Sequence, residues 1–319
     1  MIKFIIYILS FLPNIILNFS IKGFSYISYI FNLSQKKKDY LKIIQFENIE
    51  IKLLLAKNSD QAHDVYKKIS RQKIYELPLT SILIKFLDTK KLFSFLDVGS
   101  FMGYYTCLIS KYFENFAELK TYSIESNKYF YNYIKKNISI NNLKNVSVYN
   151  EILSDKEENL SVRNEKVIES KDGDQLLSRT LDNLCEKNNI IPDIVKIDVH
   201  AFESKVFDGF KSNLAQNVKI ILLELHSNDL LLKVSSKDKL NIINDLERYN
   251  FKCYLVPFEN DLKIYDVGKN FDIKNYKINC RLITKDNFQN LFFDKLYKDN
   301  LIVCIKDEFL DFNKILETS

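Results

Sequence analysis

Tryptophan is absent from the 319 residues, and glycine (6), proline (4), histidine (3) and methionine (2) are scarce. So few glycines and prolines exclude collagen-like chains, Gly/Ser linkers and proline-rich low-complexity segments. The five cysteines, Cys107, Cys185, Cys253, Cys280 and Cys304, are scattered and form no C-x-x-C pair. Neither a structural zinc site nor a disulfide framework is therefore indicated, and a reducing compartment is expected. There is no large excess of either charge: 46 Lys and Arg against 41 Asp and Glu leave a net +5 with both signs interspersed. That is not the footprint of a nucleic-acid binder. Internal repeats are also missing. What remains is 46% hydrophobic, with 24 Phe and 19 Tyr, enough core for one large domain with or without extensions.

With so few glycines, two of them close together stand out. The stretch Phe93 to Thr106, FSFLDVGSFMGYYT, runs from a short apolar segment through Gly99 and Gly103 into residues that continue as a helix. Strand, glycine turn and helix make the first unit of a nucleotide-binding α/β sheet. A ligand against the strand end needs backbone free of side chains, and glycine also permits positive φ. The spacing is G-x-x-x-G with Asp97 two residues ahead, not the G-x-G-x-x-G of a dinucleotide site. An acid there would repel a pyrophosphate and suit a ligand with a cationic end, such as S-adenosyl-L-methionine. Glu125 closes the next apolar run, where a carboxylate can accept both ribose hydroxyls. Ser100, Thr106 and Ser126 flank these positions.

The surrounding chain reads as alternating elements. Residues 46–55 alternate as a strand, 60–71 form a polar helix with His63 solvated, and 75–87 form an amphipathic helix whose Glu76 can reach the cofactor pocket. Residues 127–140 form a helix capped by Ser126, and 146–149 a third strand. Asn150 and Glu151 follow it and are candidates for bonds to the adenine. Residues 160–168 read as an excursion strand, 171–178 as a polar connection and 179–187 as a short helix. The run 194–199 is strand four, ending at Asp198, with Lys196 expected to snorkel outward. His200 comes next. Strand five, 218–225, ends in Glu224-Leu225-His226, with Glu224 and His226 two apart and so on one face. Residues 240–249 are a helix and 251–256 a strand. Residues 257–299 read as irregular, and 301–305 as a last strand.

Together the stretches FLDVGSFMGYYT, YSIES, RTLDNL, VKIDVHAFESKVFDGF and LLELH resemble the FkbM family of S-adenosyl-L-methionine-dependent methyltransferases over about residues 75–225. Ser100-Phe101 stands where that family usually has Ala-Asn, and His200-Ala201 where it has Glu-Gly. The resemblance implies a class I methyltransferase fold. This is α/β and Rossmann-like, with a seven-stranded, mostly parallel sheet, an antiparallel last strand and helices on both faces. It also implies O-methylation of a sugar, glycan or natural-product hydroxyl.

The expected cofactor-binding residues are Asp97, Gly99, Ser100, Gly103, Thr106, Glu125, Ser126, Asn150, Glu151 and Asp198. An imidazole can remove the acceptor proton. His226, oriented by Glu224, is the first choice and His200 the second, with Asp198 holding the acceptor or lying near the methionine end. Asp198 and Glu224 have the hard oxygens that suit Mg²⁺, but no metal is called for. The partner is a small-molecule or glycan acceptor and not nucleic acid.

The expected domain plan is an apolar segment over 1–44, a lead-in over 45–90, the methyltransferase domain over 91–308 and a tail over 309–319. The segment 1–44 ends near Lys36-Lys37-Lys38 and admits three readings. It lies in a membrane surface, packs on protein, or is a span or export signal. The expected location is cytoplasmic, with attachment to the cytoplasmic face of a membrane among those readings. A second function class is a catalytically weak or inactive scaffold in a membrane-associated glycan or lipid assembly complex.

Overall fold

The computed structural model describes residues 39–46, 49–72, 74–89, 91–116, 118–163, 166–168, 174–257, 272–292, 298–309 and 317–318. Its centre is a nine-stranded sheet. The strands that carry the site are β3 (Ser94–Val98), β4 (Lys120–Ile124), β5 (Val146–Tyr149), β10 (Ile194–Ile197) and β11 (Ile220–Leu225). Beyond β11 lie β14 (Asn300–Lys306), β12 (Phe251–Leu255), β13 (Asn279–Leu282) and β15 (Glu317–Thr318). The order across the sheet is β15-β13-β12-β14-β11-β10-β3-β4-β5. β5, β4, β3, β10 and β11 are parallel, and β14 enters antiparallel between β11 and β12. This is the expected class I methyltransferase arrangement, enlarged by two edge strands. β3, β10 and β14 are buried along their whole length, as strands covered on both faces must be.

Helices cover the sheet and divide the core. On one face lie α1 (Asp60–Gln72), α2 (Leu77–Asp88), α3 (Tyr104–Tyr112) and α4 (Lys128–Ile140), which with β1 (Tyr40–Phe46) and β2 (Ile49–Leu55) enclose one apolar cluster. On the other lie α5 (Leu181–Lys187), α6 (Glu203–Asp208), α7 (Lys211–Gln216), α8 (Asn228–Val234), α9 (Lys239–Arg248) and α10 (Lys285–Phe292), around a second cluster. The strand order reverses between β3 and β10. Ligands of open α/β sheets bind outside the strand ends at that reversal.

Several sequence expectations change. The boundary at residue 44 falls inside β1, which pairs antiparallel with β2 in one hairpin. Asn127, not Ser126, caps α4, its side chain accepting from the Tyr129 N–H. The excursion strand is a hairpin of β7 (Asn159–Arg163) and β8 (Lys166–Ile168). The polar connection contains β9 (Asp174–Arg179), which joins β7 and β6 (Ile152–Leu153) in a small four-stranded sheet. The supposedly irregular 257–299 contains β13 and α10. His63 is half-buried, with Nδ1 3.4 Å from the Tyr40 hydroxyl. Propensity and pattern misread these pieces because short polar strands are fixed by their partners rather than by their own composition.

The β1–β2 hairpin is docked by α4. Asn137 and Asn141, four apart and so on one face of that helix, act as surrogate backbone for β2. Asn141 accepts from the Lys52 N–H (2.8 Å) and donates to its carbonyl (2.7 Å), and Asn137 does the same for Leu54 (2.7 and 3.1 Å). The hairpin is thereby held over the sheet edge, where Leu53 and Leu55 face a cavity. The membrane readings of 1–44 fall, apart from 39–44, outside the described residues. Among the described residues no helix is long and apolar enough to cross a membrane.

Candidate active site

A cavity of ≈ 240 Å³ opens at the C-terminal ends of β3, β4, β10 and β11. The β3–α3 turn forms its floor. Gly99 (φ 76) and Gly103 (φ 78) both occupy the left-handed region, which an L side chain tolerates poorly. A Cβ on Gly99 would overlap the carbonyl oxygen of Asp198, so glycine lets β3 and β10 close against each other. Gly103 caps α3 and packs against Ile134. Phe101, also at positive φ (52), turns its N–H onto Glu125 Oε2 at 2.8 Å.

The expected cofactor residues separate into two groups. Gly99, Ser100, Glu125, Ser126, Glu151 and Asp198 line the cavity; Asp97, Gly103, Thr106 and Asn150 stand behind it. Asp97 lies behind the cavity lining and braces the turn. Its Oδ2 accepts from the Thr106 N–H (3.1 Å) and hydroxyl (2.6 Å), tying the end of β3 to α3. Its Oδ1 has no partner, and burial raises its pKa. Asn150 donates to the carbonyls of Glu125 and Ser126 (2.8 and 2.9 Å) and so fixes the backbone after β4. Glu151 is paired with Arg179 at 2.9 Å. Glu125 accepts from the Phe101 and Asn127 N–H groups, but burial outweighs both and pushes its carboxyl up to about 7.

The other end of the cavity is charged. Glu76, Lys196, Asp198, His200 and Glu224 line it together with Tyr75, Tyr104 and Tyr105. Lys196 is corrected from an outward snorkel: it is 4% exposed, lies 3.3 Å from Asp198 Oδ2, and sits over the Tyr105 ring at 5.3 Å. Burial alone would lower its pKa, yet the carboxylates of Asp198, Asp97, Glu76 and Glu224 raise it. The Tyr105 hydroxyl donates to Glu76 Oε2 at 2.7 Å. Burial raises both Tyr75 and Tyr105, so they remain phenols and proton donors. Asp198 is held below the usual carboxylate range. Burial opposes this, and the charges of Lys196, His200 and His226 with a hydrogen bond from Glu224 overcome it. Glu224 is raised by burial and by the neighbouring Asp198 and Glu76 charges.

The expected His226–Glu224 pair is not formed through a hydrogen bond. His226 Nδ1 lies 2.7 Å from Glu203 Oε1, a fully buried carboxylate that also accepts from the Ala201 N–H at 3.1 Å. Burial pulls the His226 pKa down, but the hydrogen bond and charge of Glu203 carry it up to about 10. An imidazolium of this kind is a poor proton acceptor at neutral pH. His200 does face the cavity; its Nε2 is 3.0 Å from the Gln61 side-chain nitrogen and its ring is 5.1 Å from that of His226. Glu203 and Lys196 are the site residues that sequence reasoning missed. The available signals were a lysine inside the otherwise apolar run IVKI, and a glutamate at the first turn of a helix directly after the strand.

No protein-family model matches the chain, and no curated protein does. Solved structures with a similar arrangement include several named as methyltransferases. The FkbM methyltransferase from Methylobacillus flagellatus KT has a TM-score of 0.39 at 11% identity, over 71% of this chain and 48% of its own. This chain thus spans about half of that protein. Precorrin-6y C5,15-methyltransferase from Geobacter metallireducens GS-15 has a TM-score of 0.35 at 13% identity, over 71% and 86%. TYW2 from M. jannaschii, solved with AdoMet, has a TM-score of 0.36 at 14% identity, over 84% and 86%. At these scores the likeness assigns no residue a role.

Proposed function

We propose that this chain is an S-adenosyl-L-methionine-dependent methyltransferase, of FkbM type, that methylates a hydroxyl of a sugar, glycan or natural product. The observation that carries the reading is the placement of Glu125 at the end of β4, facing the cavity beside the Gly99–Gly103 turn. On this reading its carboxylate accepts from two ribose hydroxyls, and the glycine turn leaves room for the cofactor beside the backbone. The anionic far end, with Asp198, Glu224 and Glu76 around one lysine, suits the cofactor's ammonium and sulfonium better than any phosphate.

When bound, the cofactor would supply an electrophilic methyl for the acceptor oxygen, its sulfur keeping the electron pair of the S–CH₃ bond. The chain's own work is alignment, exclusion of water and removal of one proton. Ser126 and Glu125 hold the nucleoside end, with Glu151 beyond them. At the acceptor end Tyr75 and Tyr105 present phenols to a polar acceptor. The hydroxyl proton goes to His200, the imidazole that faces the cavity. The β1–β2 hairpin and α1 cover the cavity through Leu53, Leu55 and Gln61, limiting water.

Calorimetric titration of S-adenosyl-L-methionine into the full chain tests this. Micromolar binding that Glu125→Ala weakens by tenfold or more, about 1.4 kcal/mol, is the expected result. A folded protein that binds none sinks the reading and favours the scaffold.

A further inference from the structure

The acceptor end of the cavity holds a group of side chains that methyl transfer alone does not need. Asp198, His200 and His226 each offer one ligand atom, and all three atoms lie within 4.8 Å of one another. Asp198 and His200 open onto the cavity, and His226 backs them. Asp198 Oδ2 lies 3.3 Å from Lys196, and Oδ1 is buried. His226 has Nδ1 committed to Glu203, which leaves Nε2 as its ligand nitrogen once the ion displaces the proton there. Carboxylate, imidazole and then metal is the usual outer-shell order, the carboxylate fixing tautomer and ring orientation. Glu203 is itself locked by the Ala201 and Val199 N–H groups (3.1 and 3.4 Å). The backbone at His200 (φ 50) and Ala201 (φ 79) is held in the left-handed region, and such strain concentrates at functional sites. A second group, Glu224, His226 and Asp299, shares His226, but Asp299 is engaged by the Ser227 N–H and lies off the cavity lining.

We propose that Asp198, His200 and His226 bind a first-row divalent transition-metal ion whose open positions hold two adjacent oxygens of the acceptor. Two imidazoles and one carboxylate on one side of an ion leave the opposite side free, and this donor set suits Mn²⁺, Fe²⁺, Co²⁺ or Zn²⁺ rather than Mg²⁺. With the ion bound, His200 is a ligand and the ion itself would lower the pKa of the bound hydroxyl, whose proton then leaves to water. The acceptor class narrows to vicinal diols and hydroxy-carbonyl compounds. The acceptor's part in this rests on the methyltransferase reading; the ion site does not.

Cobalt(II) is the probe. It is added to the full chain while visible d–d absorption is followed, with S-adenosyl-L-methionine affinity measured separately. One equivalent of Co²⁺ is expected to give d–d bands without thiolate charge transfer, and Zn²⁺ should displace it. His200→Ala, at a half-exposed position that need not disturb folding, should weaken binding at least tenfold, about 1.4 kcal/mol. Asp198→Asn should do the same, both with unchanged far-ultraviolet circular dichroism. No d–d bands, bands with thiolate character, or bands indifferent to His200→Ala would overturn the site. Cofactor binding without cobalt binding removes the ion and keeps the methyltransferase. Cobalt binding without cofactor binding does the reverse.

Discussion

Glu203 and His226 form a buried pair in which one carboxylate oxygen serves an imidazole and the backbone ahead of its own helix at once. Oε1 is 2.7 Å from His226 Nδ1 and 3.1 Å from the Ala201 nitrogen. Glu203 has no exposed surface and His226 has 4%. Removing one partner of such a pair leaves the other polar group buried without compensation. Glu203→Ala is therefore expected to destabilise the fold by roughly 3–5 kcal/mol. Glu203→Gln, which keeps an acceptor oxygen, should lose clearly less. Urea unfolding of both variants checks this; equal losses would mean that shape, not the oxygen, is what Glu203 supplies.

Glu125 gives a pH dependence whose sign can be fixed. Burial places its carboxyl at about 7, above the ordinary 4.5. In that window the folded, ligand-free protein holds a proton that the unfolded chain has released. This contribution to stability is complete below about 4.5 and is lost as pH rises through about 7. Cofactor binding runs the other way, because ribose hydroxyls donate to the ionised form. Affinity should rise with pH up to about 7, by up to about tenfold per unit below it, and level off above. Glu125→Gln should flatten the profile. A wild-type affinity constant between pH 5.5 and 8 would remove Glu125 from the ribose.

How much of this was legible in the sequence depended on whether a residue's partner was local. The β3–Gly99–Gly103–α3 unit was readable because glycine is rare here and two of them stand at a strand end. Glu125, Asp198 and Glu224 were readable because each closes an apolar run. Lys196 was not. A lysine in a strand looks solvated unless the carboxylates around it are known, and Asp97, Glu76 and Glu224 come from three other elements. The partner of His226 was missed for the same reason: Glu224 shares its strand end, while Glu203 arrives from α6, 23 residues earlier. β9 and β13 were missed, and the strand expected over 160–168 was not seen to divide into the β7–β8 hairpin, because pairing partners, not composition, fix these strands.

Asn137 is a second test of non-local placement. Buried on α4, it makes hydrogen bonds to Leu54 N and O and to the Met102 carbonyl, so it joins the β1–β2 hairpin, the glycine turn and the helix. Asn137→Ala leaves those backbone groups without partners, and a loss of roughly 2–3 kcal/mol is expected. The loss should be spatially uneven. Amide exchange at Leu54 should accelerate more than at the β10 and β11 amides, because the hairpin opens before the sheet. Uniform acceleration across both would show that the hairpin unfolds only with the whole domain.

Gly99 is the position at which the site and the fold are least separable. Its φ of 76 is unfavourable to any L side chain, and a Cβ there would run into the backbone oxygen of Asp198. Backbone cannot rotate away as a side-chain tip can. β3 and β10 are hydrogen-bonded neighbours up to Val98 and Ile197, so relief would require separating them at the mouth of the cavity. Gly99→Ala is expected to cost about 3 kcal/mol or more, in the range reserved for strained backbone and overpacked cores. The cofactor should bind far less well even where the variant folds. Gly103→Ala is the control. It shares the positive φ, but its Cβ would meet only the Ile134 side chain, at 3.3 Å. Thermal unfolding should therefore rank wild type above Gly103→Ala, and Gly103→Ala above Gly99→Ala. If the two variants were equally stable, φ alone would explain both, and the close approach of Asp198 would carry no energy.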